Sequence, residues 1–199
     1  MKYLFTLAAV LLLISCNDKK NTLEDGITTD TVVIQRPGLL AGANLAGLLP
    51  PFNTLDFDRA VAYDYGDSYD GVLIVDEEGR LDKSVLQQKE LTAAETTNLL
   101  KVLGNPATYG NGISDCFAPH LGLVLYKGRD VVFHASICIA CNYLKSSMSI
   151  PAMVQPRKDP ETGKELFGEG FSREGQHKLE ALCSSLKFSH CIGQPEMNH

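Results

Sequence analysis

The sequence predicts an α+β domain: a mostly antiparallel sheet of about five strands with two helices packed on one side. Three observations carry that expectation. Two apolar runs, Leu121–Tyr126 and Val131–Cys141, flank a short Lys-Gly-Arg-Asp turn, the layout of a β-hairpin. Two other stretches, after Thr92 and after Ser172, open on helix-capping residues and repeat leucine at helical spacing. A chain of 199 residues that is 44% hydrophobic is also long enough to bury one real core.

Taken in order, residues 1–15 read as a targeting segment. Lys2 supplies positive charge and Leu4–Ile14 is almost wholly apolar, too short for a comfortable bilayer span. The segment ends Leu13-Ile14-Ser15-Cys16, which resembles the lipobox of bacterial lipoproteins. The resemblance implies that Cys16 is lipid-modified and becomes the mature N-terminus, anchoring the chain to a membrane of the bacterial cell envelope with its domain outside the cytoplasm. Residues 16–52 read as a tether, polar at first and then rich in Gly and Leu, with a possible short strand at Thr31–Ile34. Residues 53–199 form the single globular domain.

Within that domain, Phe57–Asp64 and Gly71–Val75 read as strands. The acidic loops around them (Asp64, Asp67 and Asp70; Asp76, Glu77 and Glu78) match no calcium-binding loop and read as solvated turns. Thr92 and Glu95 form a capping box, Leu99, Leu100, Val102 and Leu103 give an apolar stripe, and Gly104 stops the helix. Residues 105–115 are a Gly/Asn-rich loop. After the hairpin, Ser147–Val154 is expected as an edge strand, since Pro151 cannot donate to a central ladder. Gln155–Gly170 is expected as a surface loop. Ser172 then caps a helix over Arg173–Leu186 that turns Cys183 toward the core and can return Cys191 toward it.

The hairpin carries the chemistry. A two-residue loop at Gly128-Arg129 suits a type II′ turn. It pairs Leu125 with Val132, Leu123 with His134 and Leu121 with Ser136, and in the same register Cys116 with Cys141. Both faces are then largely apolar, as in strands covered on both sides. Directly opposed Cβ atoms lie roughly 4.5–5.5 Å apart, close to what a disulfide needs. Cys116–Cys141 is therefore the expected bridge. Two other arrangements use the same residues: a zinc site from Cys116, His120, Cys138 and Cys141, or a redox pair Cys138-Ile-Ala-Cys141. The zinc site requires a bulge, because strict alternation puts Cys138 on the opposite face. Free buried cysteine is the fourth reading.

Loss of residues 1–15 removes one Lys and takes the formal charge from −6 to −7, which disfavours nucleic acid as a partner. Export places the remaining five cysteines in an oxidising compartment, and an odd count leaves one unpaired or ligated. No nucleophile elbow surrounds Ser136, Ser146 or Ser147, and the histidines lack zinc-protease spacing. From Phe57 to Cys191 the order of elements is similar to a family of uncharacterised bacterial envelope lipoproteins. Cys116-Phe-Ala-Pro-His120, Leu123–Tyr126 and Cys138-Ile-Ala-Cys141 with Asn142 and Ser146 carry that likeness. It implies an envelope domain and no assigned reaction. Two functions follow as expectations: a lipid-anchored protein whose domain binds a ligand or partner of unknown identity, without cofactor and without catalysis; or a metal-binding or thiol-redox protein using Cys116, His120, Cys138 and Cys141.

Overall fold

The structure is a computed structural model that describes residues 47–66, 71–154, 156–158, 161–166 and 168–191. The leader, Cys16 and the candidate strand at 31–34 lie outside these residues. In chain order the elements are β1 (Arg59–Tyr65), β2 (Val85–Glu90), α1 (Ala93–Leu103), β3 (Tyr109–Asn111), β4 (Leu121–Lys127), β5 (Asp130–Cys138), β6 (Tyr143–Ser146), β7 (Arg157–Lys158), β8 (Glu165–Leu166), β9 (Gly170–Phe171) and α2 (Arg173–Leu186). Five strands form one antiparallel sheet in the order β2-β1-β4-β5-β6, and β3 with β9 and β7 with β8 make two small ribbons. The α+β class and the five-stranded antiparallel sheet are as the sequence predicts.

β4 is the central strand, and its two faces feed two separate cores. Leu121, Leu123 and Leu125 point to one side with Ala60 and Ala62 of β1 and Phe133, Ala135 and Ile137 of β5. Helix residues Leu99, Leu100, Leu103, Leu179, Cys183 and Leu186 close over this side, so both helices sit on one face. Full burial of each leucine is worth up to about 2–3 kcal/mol. The opposite face holds Val61, Tyr63, Tyr65, Val124 and Tyr126, covered by Ile74 and Val75.

The helix ends behave as their sequences dictate. The Thr92 and Glu95 backbone amides are each capped by the other residue's side chain, at 2.9 and 3.2 Å. In α2 the Ser172 hydroxyl accepts from the Gly175 amide at 3.1 Å. Lys187, left-handed at φ 61°, ends the helix and turns the chain back.

The hairpin register differs from the expected one. Gly128 is left-handed at φ 60° and Lys127 pairs with Asp130, as a two-residue turn requires. A bulge then places Val131 and Val132 against Tyr126, so that Leu125 faces Phe133, Val124 faces His134 and Leu121 faces Ile137. The one-residue shift brings the large apolar residues of both strands onto one face and moves His134 and Ser136 to the other.

Several boundaries also differ. The packed domain begins before Asn53, because Leu48, Pro51 and Phe52 are buried and the Phe52 ring meets Phe133 edge-on. Residues 71–75 are a covering segment, with a single bridge from Val75 to Leu81, where a strand was expected. The expected edge strand at 147–154 is a bend and a short 3-10 turn; the edge is β6 instead. The expected loop 155–170 contains β7 and β8. β2 gave no strand signal, because Leu86-Gln-Gln-Lys89 is mostly exposed and polar at the sheet edge.

Candidate functional site

β5 ends at Cys138, and residues 139–142 turn the chain into β6, with Cys138 opposite Tyr143. Asn142 makes the turn possible. It is left-handed at φ 63°, a conformation Asn tolerates better than most residues, and its amide donates to the Ile139 carbonyl at 3.0 Å. Its side chain donates to the Gly112 carbonyl at 2.8 Å and accepts from Gln176 of α2 at 2.9 Å. The turn is thereby tied to both the loop that follows β3 and the second helix.

Within this turn Cys138 and Cys141 are bridged, with Cα atoms 5.2 Å apart. Both are almost fully buried. The Cys141 amide donates to the Cys138 sulfur at 3.0 Å, and the Ala118 amide donates to the Cys141 sulfur at 3.3 Å. A second bridge joins Cys183 in α2 to Cys191, with Cα atoms 5.8 Å apart. Cys116 is free and exposed.

The expected Cys116–Cys141 bridge is therefore not the one formed. Cys141 lies past the end of β5, where the ladder that would have opposed it to Cys116 has stopped, and the local turn offers Cys138 first. The proposed zinc set of Cys116, His120, Cys138 and Cys141 also fails to assemble. Two of its sulfurs are consumed in a bridge, and His120 faces away, its Nδ1 3.0 Å from the Tyr65 carbonyl. Among the described residues no group of three or more His, Cys, Asp or Glu side chains is placed to hold a metal ion.

His120 belongs to a second polar cluster that sequence reasoning missed. Asp64, fully buried in β1, accepts from the Ser189 and His190 amides at 2.9 and 3.4 Å. The His190 ring lies 3.5 Å from the same carboxylate oxygen and 6.4 Å, centroid to centroid, from His120. Ser189 and Asp64 both approach His190 through Nδ1, so the two-nitrogen relay of a serine triad is not set up. The cluster fastens the chain after α2 to the sheet, together with the Cys183–Cys191 bridge. An interior Asp in an otherwise apolar strand was the sequence signal for it.

The bulge opens a cleft of about 330 Å³ lined by Val131, Val132, His134, Ser147 and Asp76. The His134 Nδ1 atom is itself buried, without a partner among the described residues, and burial pushes the imidazole below its ordinary range, favouring the neutral ring.

No protein-family model matches the chain, and no curated protein or solved structure shows significant similarity to it.

Proposed function

We propose that this chain is a lipid-anchored protein of a bacterial cell envelope, tethered through Cys16, whose domain works by binding a ligand or partner. The observation that carries this reading is the pairing of four of the five remaining cysteines, which suits an oxidising compartment, behind a leader that ends Leu-Ile-Ser-Cys. The cleft beside His134 supports binding: Val131 and Val132 line it together with the polar side chains of Asp76 and Ser147. No helix among the described residues is long and apolar enough to cross a membrane, so attachment in this reading rests on the acyl chains.

Labelling cells with tagged palmitate tests it. The full chain is expected to carry label and to sediment with membranes, and Cys16→Ser to lose both. Label retained by the Cys16→Ser variant, or an unlabelled and freely soluble parent chain, would overturn the proposal. A second reading, thiol chemistry, is favoured by one specific observation: an unbridged, exposed Cys116 in the loop that touches the Cys138–Cys141 pair.

A further inference from the structure

We infer that Cys116, Cys138 and Cys141 form a three-cysteine thiol–disulfide exchange centre, in which Cys116 is the solvent-facing thiol and Cys141 the sulfur it attacks. This rests on the thiol reading above and does not depend on the lipid anchor.

The buried pair cannot meet an external thiol directly, since Cys138 and Cys141 are 1% and 2% exposed. The loop that covers it can. Ser114 donates its amide to the Cys141 carbonyl at 3.1 Å, and Ala118 donates its amide to the Cys141 sulfur at 3.3 Å. Cys116 lies midway between these two contacts. Two residues of chain span at most about 7 Å, which keeps the Cys116 backbone within about 7 Å of both contacts to Cys141. No strand includes residues 112–120, so Cys116 can move without breaking a ladder. Phe117 packs on Tyr143 with ring centroids 4.9 Å apart, and the Lys145 ammonium lies over the Phe117 ring, 4.5 Å from its centroid, which keeps the loop against the turn.

The hydrogen bonds distinguish the two sulfurs. Attack by the Cys116 thiolate on Cys141 forms the 116–141 bond and breaks the 138–141 bond, and the electron pair leaves on Cys138. The departing thiolate already has the Cys141 amide as a donor at 3.0 Å. This exchange is an isomerisation and needs no oxidant. It brings the disulfide to the surface, where an external thiolate can attack the Cys116 sulfur. The products are a mixed disulfide on Cys116 and a thiolate on Cys141, which takes up the proton the external thiol released. The substrate class is an accessible thiol, either of low molecular weight or on another protein.

The test uses the full chain equilibrated with glutathione and its disulfide, acid-quenched, alkylated and peptide-mapped. Cys138→Ser should contain a Cys116–Cys141 bridge, and Cys141→Ser should leave Cys116 and Cys138 as thiols. Cys116→Ser, an exposed change, should retain Cys138–Cys141 and open it with reduced glutathione at least about tenfold more slowly than the parent chain. Glutathione should be found on Cys116 of the parent. Alkylated Cys116 and Cys141 in the Cys138→Ser variant, or equal opening rates with and without Cys116, would overturn the inference. If the Cys138→Ser or Cys141→Ser variant misfolds, the rate comparison between Cys116→Ser and the parent chain still decides it. If glutathione leaves Cys116 unmodified while a cysteine-containing peptide modifies it, the substrate is a protein thiol.

Discussion

The two faces of the five-stranded sheet are covered by different means. One face is closed by two capped helices that lay leucines on leucines, and its core runs from Leu48 to Cys191. Among the described residues the other has no helix. A segment of irregular backbone lies on it, held by the Ile74 amide on the Ser136 hydroxyl at 2.8 Å, the Asp82 amide on the Ile74 carbonyl at 3.0 Å and the bridge from Val75 to Leu81. Beneath it, Tyr63 and Tyr126 share a 2.7 Å hydrogen bond, Arg59 stacks over the Tyr126 ring, and burial raises both phenol pKa values. The first face is held by area and the second by a few placed contacts. A face of the second kind reveals less of itself in sequence.

The largest effect is expected on the helix-covered face. Leu123→Ala removes a fully buried side chain from the middle of the sheet and should cost about 2–5 kcal/mol in urea unfolding. A loss below about 1 kcal/mol would mean that this core is not packed as described. On the other face the sharpest point is Gly122, where an added Cβ would lie 2.5 Å from Ile74 Cγ1. Gly122→Val should cost about 1–3 kcal/mol and strip hydrogen-exchange protection from the Ile74 amide while leaving α1 protected. Equal loss of protection in both regions would erase the distinction between the two covers.

How much of this was legible follows the same division. Helix 173–186 was fully marked by Ser172 and its leucine spacing, and helix 93–103 by Thr92, Glu95 and Gly104. The strands under them were legible as strands, but their register was not. Leu121–Tyr126 and Val131–Ile137 are apolar at nearly every position, so alternation cannot tell one register from its neighbour. The bulge at Val131–Val132 decided it through packing against Phe52 and the helices. The covering segment 71–82 looked like a strand because Val72-Leu-Ile-Val75 has strand composition; its use as a lid depends on Gly122 and Ser136, far away in sequence. At the candidate site, Cys138-Ile-Ala-Cys141 was visible, but its partner choice hung on where β5 stops, and Asn142 set that through its left-handed turn.

Smaller effects sharpen the picture. Thr92→Ala breaks one half of the α1 capping box and should cost about 1 kcal/mol, with the loss confined to the helix-covered face. Glu95, whose carboxyl is held below its usual range chiefly by the Thr92 amide, would lose its share of this only at acid pH.

The smallest effect is pH dependence from His134. Its folded pKa is depressed by burial, so the unfolded chain binds the proton first. Stability should therefore be fully present above about pH 6.5 and fall as pH drops toward the folded value. His134→Gln should flatten the difference between unfolding midpoints at pH 7.5 and pH 5; an unchanged slope would show that the ring is not buried neutral.

The most direct measurement is non-reducing peptide mapping of the full chain isolated from bacterial membranes. The expected result is an N-terminal peptide that begins at an acylated Cys16, bridges 138–141 and 183–191, and an alkylatable thiol or an exchangeable mixed disulfide at Cys116. An uncleaved chain beginning at Met1, with all five domain cysteines recovered as thiols, would contradict it.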